Sequence, residues 1–350
     1  MFRQNKYFFP ALIVLLIIIL ISAIAWGAVS IAPSEMFSSL VHFFGGQGPA
    51  NIHEGVFLQL RLPRVLLCAI TGAILAVSGV LMQGLFRNPI VEPGLVGTSA
   101  GAAFGASIVF VLGAYLSPQL KSLTGPLLVP LFAFGGGMLA TYIVYSLAKN
   151  LSRVSIITLL LIGIAINAVG LSGTGFMSYI ARDPQARSIT FWNLGTFSGA
   201  SWLQVFIVGV TAALIFILSF RYAKQLNALL LGEEEANYVG VDTARLKKRI
   251  MILNTVMVSV ATAFVGVITF MGLIVPHVLR LLIGSDNKKL LPAAMLTGAI
   301  LLTLADMGAR LLLAPSEIPI GIITSLVGAP VFILLLKRAN ILQYKEGMNA

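Results

Sequence analysis

Long intervals without a single Asp, Glu, Lys or Arg recur along this 350-residue chain. They run Phe8–Ser34, Val65–Phe86, Pro93–Leu120, Ser122–Ala148, Val154–Ala181, Ser188–Phe220, Ile250–Leu279, Leu290–Ala305 and Ile318–Leu336. Most supply the ~20 residues that a helix rising about 1.5 Å per residue needs to cross a ~30 Å hydrocarbon core. Composition agrees, with 58% hydrophobic and 10% charged residues and a mean hydropathy of +0.98. A soluble domain has about 45–50% apolar and about 25% charged residues, and a soluble globule of this size cannot hide the excess. A soluble enzyme, a nucleic-acid-binding domain and a disordered chain are thereby excluded. The net charge of +11 does not reopen the nucleic-acid reading, because the basic residues lie between apolar blocks and form no stripe with interleaved aromatics.

Two stretches decide the number of spans. Met36–His53 also lacks Asp, Glu, Lys and Arg, but Gly45, Gly46, Gly48 and Pro49 break it, so it reads as an outer loop. Leu246–Gly284 is about twice too long for one crossing. Gly266 and Gly272 near its middle predict two crossings joined by a tight turn, the second interrupted near Pro276. The prediction is an all-α polytopic membrane protein, one transmembrane domain over residues 1–350. Its ten spans are placed near 9–31, 65–86, 96–117, 126–148, 155–181, 201–220, 246–265, 267–284, 290–312 and 318–337.

Charge sets the orientation. With the N-terminus inside, only Arg61, Arg64, Lys121, Arg182, Arg187 and Arg310 fall outside, and the other 17 of the 23 basic residues, Arg3 and Arg153 among them, face the cytoplasm. Cytoplasmic loops collect Lys and Arg, so both termini are expected in the cytoplasm. The first apolar run is too long for a cleaved signal peptide and reads as an uncleaved span. Small residues crowd the spans, as at Gly72, Ala73, Ala76, Gly79, Gly101, Gly105 and Gly135–Gly137, which predicts a closely packed helix bundle.

Catalytic signatures are missing. There is no G-x-x-x-x-G-K-[ST] loop, no H-E-x-x-H, no G-x-S-x-G and no carboxylate pair. His42, His53 and His277 are scattered, and the lone Cys68 lies in an apolar run, where it reads as a packing residue. No catalytic residue and no metal site are expected. The spans hold almost no ionisable groups; Asp306 is the nearest to mid-membrane, and Arg310 four residues on shares its helix face. This is a transport-like membrane protein without a visible energy source of its own, which points to a permease driven by a separate ATPase. The competing reading is an ATPase-independent secondary transporter.

Several motifs carry a resemblance. Arg61-Leu-Pro-Arg64 is followed by the small-residue span, then Gln83-Gly-Leu-Phe-Arg87-Asn-Pro89, Glu92-Pro93-Gly94 and Gly97-Thr-Ser-Ala-Gly101. Later come Gly272-Leu-Ile-Val-Pro276-His277, Arg280, Leu291-Pro292, Leu304-Ala-Asp306, Ile318-Pro-Ile-Gly321 and Gly328-Ala-Pro330-Val-Phe332. Together they resemble the permease family of ATP-binding-cassette importers for iron complexes, haem and cobalamin, over nearly the whole chain. The resemblance implies ten helices per subunit and a dimer around a central path in a bacterial inner membrane. It also implies two cytoplasmic ATPases that use ATP and Mg, and a periplasmic binding protein. No cofactor is expected on this chain, and no nucleic acid.

The resemblance also assigns residues. Arg61, Arg64 and Arg310 are implied to dock the binding protein, as the planar guanidinium suits bidentate pairing with carboxylates. From the residues alone, the first two read equally as headgroup anchors or helix caps, and Arg310 as the partner of Asp306. The stretch 221–249 resembles a coupling loop, with Leu231, Gly232, Glu234, Glu235, Ala236 and Gly240 in its motif. A short amphipathic helix there would present Leu229–Leu231, Ala236 and Tyr238 to a groove on the ATPase. Around Tyr179–Trp202 the resemblance is to the haem-importing branch. Haem is a flat apolar dianion, so Arg182 or Arg187 would meet a propionate, and Met177, Tyr179 and Phe191 an apolar wall. A ferric siderophore or cobalamin is the alternative cargo. Asp183-Pro184 is expected to start a short helix with Asp183 as cap, and Trp192 and Trp202 to sit at the membrane interface.

Overall fold

The computed structural model describes residues 6–27, 33–45, 51–115, 124–149, 156–314 and 316–348. Arg3, Lys121, Arg153 and the span margins 28–31, 116–117 and 155 lie outside the described residues. The helices are α1 (Phe8–Ala25), α2 (Pro33–Phe44), α3 (Ile52–Gly55), α4 (Leu62–Phe86), α5 (Thr98–Leu112), α6 (Leu128–Ala148), α7 (Ile156–Ile180) and α8 (Gln185–Asn193). They continue with α9 (Trp202–Arg221), α10 (Ala223–Leu231), α11 (Glu233–Tyr238), α12 (Thr243–Val265), α13 (Met271–Ile283), α14 (Asn287–Leu311) and α15 (Ile320–Met348). Among the described residues, seven helical stretches are long and apolar enough to cross a membrane, and α5, α13 and the first half of α15 are shorter apolar helices. One end of the bundle carries Phe86, Arg221, Lys248 and Asp286 and is called the basic end below.

The core is built around α4. With α3 and a π-helical turn, Val56–Arg61, it forms one rod of 35 residues, Ile52–Phe86, and it packs on α14, α12, α13 and α9. Its residues from Thr71 to Phe86 are all buried. Gly72 and Gly298 let α4 and α14 touch backbone to backbone, since a Cβ on Gly72 would lie 2.2 Å from the Gly298 carbonyl oxygen. Gly101 of α5 and Gly136 of α6 meet in the same way. Such contacts replace the hydrophobic drive that lipid cannot supply. By contrast α1, α7 and α9 stand at the periphery and turn Ile17, Leu161 and Phe206 outward, as a lipid solvent allows.

Two prolines sit inside helices, Pro276 at the predicted interruption and Pro63 just before the expected start of its span, and each is repaired from a distance. In the π-turn register the Leu58 carbonyl would bond the nitrogen of Pro63, which has no hydrogen; the Trp202 indole N–H donates to it instead, at 3.0 Å. Pro276 orphans the Gly272 carbonyl four residues earlier, and Gln83 Nε2 donates to it at 3.2 Å. The rod therefore continues through Arg61-Leu-Pro-Arg64 and begins at Ile52, 13 residues before the expected span start. Likewise α13 runs unbroken past Pro276. The real interruption is at residues 266–270, where α12 ends at Gly266 with φ +77°. A Cβ there would lie 2.0 Å from the Trp192 carbonyl oxygen, so glycine is required.

Other expectations need correction. The stretch read as an outer loop, Met36–His53, contains most of the 12-residue helix α2, too short to span. Helix α8 starts at Gln185 with Pro184 as its cap, and no side chain caps it, so Asp183 does not play that part. Trp192 packs beside Ala102, Ala133 and Ala263 inside the bundle and is not an interface anchor.

Candidate functional site

Three regions bear on function. The first lies at the end opposite the basic one, where α1, α4 and α14 meet. Asp306 is buried between two arginines: Arg64 Nη2 reaches its Oδ1 at 2.8 Å, and Arg310 Nε its Oδ2 at 3.0 Å. Arg64 also pairs with Glu317 at 2.7 Å. Arg61 Nη1 donates to the carbonyls of Ile24 at 2.7 Å and Ala25 at 2.9 Å, and Arg310 Nη2 to that of Ala23 at 3.0 Å. The last four carbonyls of a helix have no partner within it and carry its negative pole, so the two arginines cap α1. Side-chain exposure is 12% for Arg64 and 9% for Arg310, and Arg61 as a residue is 7% exposed. The structure thus brings Arg61, Arg64 and Arg310 together, but as an internal network and not as free docking prongs; Glu317 is the member that faces outward, at 40%. The Asp306–Arg310 pair was legible from its i,i+4 spacing; Arg64 and Glu317 were not, because neither lies near Asp306 in sequence.

The second region is the stretch 221–249 at the basic end. The expected single helix is two, α10 and α11, broken at Gly232. Leu231, Glu234, Glu235 and Gly240 are exposed, with Leu231 at 76% and Tyr238 at 88%. Leu229, Gly232 and Ala236 are buried, which corrects the picture of Leu229 and Ala236 as contact residues: they fasten the loop to the bundle. Polar ties do the same. Lys247 of α12 is 5% exposed and reaches Glu233 at 2.6 Å, and Thr243 Oγ1 donates to Asn237 Oδ1 at 3.1 Å. Asn227 of α10 donates to Asp286 at 2.6 Å and accepts from the Asn287 N–H at 2.8 Å, joining the loop to α14. Burial pushes the Asp286 carboxyl up, but the Asn227 amide, the Lys288 N–H and the charges of Lys288 and Lys289 outweigh it and hold it below the usual aspartate range.

The third region follows α7 and α8. Tyr179 is 87% exposed and Phe191 50%; Arg182 and Arg187 are exposed, and Met177 is half-buried. Arg187 and Phe191 are one helical turn apart and share a face of α8. Deeper, between α5, α7 and the non-helical residues 267–269, opens a cleft of about 530 Å³. Its polar lining is Glu92, Ser99, Asn167, Thr174, Asn193 and Thr269. Asn167 Nδ2 donates to the Leu95 carbonyl at 3.0 Å, and Asn254 Nδ2 to that of Pro93 at 3.3 Å, so the segment before α5 has its backbone satisfied by side chains. Glu92 accepts the Phe270 N–H at 3.3 Å. The sequence offered no signal for Glu92 beyond its place beside Pro93.

Among the described residues, a bundle of seven membrane-length apolar helices and three shorter ones, with polar side chains set into a cleft between them, is the architecture of a multi-pass membrane permease. The chain belongs to the FecCD transport family, whose model matches residues 14–338, and it is the permease of an ABC importer. It is 39% identical over 342 residues to the hemin transport system permease protein HmuU of Yersinia pestis, covering 96% of each chain. It is 36% identical over 340 residues to the vitamin B12 import system permease protein BtuC of Klebsiella pneumoniae, covering 97% of this chain and 95% of the relative. A solved structure described as an inward-facing conformation of a metal-chelate type ABC transporter superposes with a TM-score of 0.82 at 30% identity, covering 95% of this chain and 100% of the other.

Proposed function

We propose that this permease carries haem from a periplasmic binding protein to the cytoplasm of a bacterium by alternating access. Two copies enclose a central path lined by α7, two cytoplasmic ATPases bind ATP and Mg at the basic end, and both termini lie in the cytoplasm. Leu231, Glu234, Glu235 and Gly240 form the exposed face of the coupling loop, and Ala236 and Gly232 seat it. The binding protein docks at the opposite end, where Arg61, Arg64 and Arg310 hold the surface in shape. The chain itself has no bond-breaking step to perform.

The observation that carries haem as cargo is the exposed pair Arg187 and Phe191 on one face of α8, with Arg182, Tyr179 and Met177 on the chain leading to it. A guanidinium pairs with a propionate while the aromatic and thioether side chains take the flat macrocycle. The 39% identity to the hemin permease supports the same cargo, and the 36% identity to a vitamin B12 permease makes cobalamin the second reading. The test is ATP-driven uptake into vesicles holding permease, ATPase and binding protein. Arg187→Ala is expected to lower haem uptake at least tenfold, since a charge-assisted hydrogen bond is worth about 1.5–3 kcal/mol. Unchanged haem uptake removes Arg187 from the contact, and uptake of cobalamin in place of haem overturns haem as cargo.

A further inference from the structure

Backbone that is not helical at membrane depth must be enclosed by protein or face water. Residues 266–270 are such a segment: they precede α13, whose 13 residues place its start about 18 Å above its basic end. Thr269 and Val267 are half-buried and form one wall of the 530 Å³ cleft. The polar lining sets what that cleft presents. Asn167 spends its amide N–H groups on the Gly94 and Leu95 carbonyls and turns its oxygen loose. Thr174 spends its hydroxyl proton on the Gly170 carbonyl. Glu92, an acceptor only when ionised, gives one oxygen to the Phe270 N–H and keeps the other. Among the described residues no Lys, Arg or His lines the cleft. What remains is a mostly apolar surface with one carboxylate and the Asn167 oxygen set into it, beside the hydroxyl of Ser99 and the amide of Asn193.

We propose that this cleft is a hydrated vestibule on the cargo path, and that Glu92 with Asn167 contacts the electropositive metal centre of a passing chelate. The inference rests on the importer reading above. The two sites then divide one cargo. The contacts are made in succession: arginines at the mouth of α7 and α8 take its anionic edge first, and acceptors twelve residues further down α7, from Tyr179 to Asn167 and about 18 Å deeper, meet its metal centre after that edge is released. An acceptor-lined wall also repels the anionic edge and so keeps the chelate from turning over in transit.

Thiol labelling in the assembled transporter tests this. The natural chain is a blank, because Cys68 is its only cysteine and is fully buried. Ser99→Cys places a probe on the cleft wall. The thiolate itself favours a cationic methanethiosulfonate over the anionic one, so the readout is the ratio of the two rates, expected to exceed that of a free thiol about tenfold, as one carboxylate at close range does in a medium of reduced dielectric. Adding Glu92→Gln, which keeps the acceptor for Phe270, returns the ratio to that of a free thiol and leaves the rate with a neutral reagent unchanged. Cargo-loaded binding protein with ATP slows the labelling. A thiol that stays unreactive, a ratio no larger than that of a free thiol, or an excess that survives Glu92→Gln overturns the vestibule; labelling indifferent to cargo overturns the contact. Charge-selective labelling with no haem uptake leaves the vestibule standing and removes haem alone.

Discussion

Trp202 and Gln83 show how one side chain keeps a helix intact in a solvent that cannot help. A buried carbonyl left without a donor costs about 1–3 kcal/mol, and inside a bilayer no water is at hand to satisfy it. Trp202→Phe keeps an aromatic side chain but loses the N–H that serves Leu58, together with part of the indole. It is expected to destabilise the purified permease by about 1–3 kcal/mol, read as a lower midpoint of thermal unfolding in detergent; an unchanged midpoint removes the repair. The same residues explain why both helices were misread in sequence. Pro63 and Pro276 are breakers by any local rule. Their donors lie 144 and 189 positions away from the carbonyls they serve, and no window along one chain reveals such a pairing. Asp306 gives the same lesson: its partner Arg310 was visible at helical spacing, whereas Arg64 is 242 residues away.

At the scale of elements, α10 and α11 behave as one plate fixed to two long helices. Lys247–Glu233 and Thr243–Asn237 fasten it to α12, and the Asn227 contacts with Asp286 and Asn287 fasten it to α14. Both helices run the length of the bundle against α4, so a displacement of the plate moves the core and not merely a loop. Breaking a buried pair from one side leaves a charge stranded, which costs about 3–5 kcal/mol. Glu233→Gln is therefore expected to cut transport strongly while the ATPase of the assembled complex keeps its basal rate. The exchanged pair Glu233→Lys with Lys247→Glu restores transport in part. Loss of basal ATPase in step with transport would instead make Glu233 a residue needed for assembly. The existence of this loop was legible from its acidic and basic runs; its division at Gly232 and the inward turn of Leu229 and Ala236 were not, because they depend on the faces of α12 and α14 beneath it.

For the molecule as a whole, the all-helical multi-span architecture was legible because the bilayer forces charge to the ends of every crossing. Depth was not, since composition cannot say which helix lies at the centre. The answer is α4, held by backbone contact with α14 at Gly72 and Gly298. Gly72→Val would drive a side chain into the Gly298 carbonyl, and overpacking of a close helix pair costs about 1–3 kcal/mol or more. Size-exclusion chromatography is expected to show aggregated or degraded protein for Gly72→Val. Gly135→Ala, where nothing lies within 4 Å, should elute as the natural chain does, and a normal profile for Gly72→Val would mean that α4 and α14 can part. The brevity of α5 and α13 bears on how the protein is made. At 15 and 13 residues neither reaches across a ~30 Å core alone; α5 is prolonged by a 3-10 turn whose carbonyls are met by Asn167 and Asn254, and α13 by non-helical chain whose Phe270 N–H is met by Glu92. Biogenesis must therefore keep α5 and the turn before it sheltered until α7 and α12 bring Asn167 and Asn254, so insertion of this permease cannot be strictly sequential from its N-terminus.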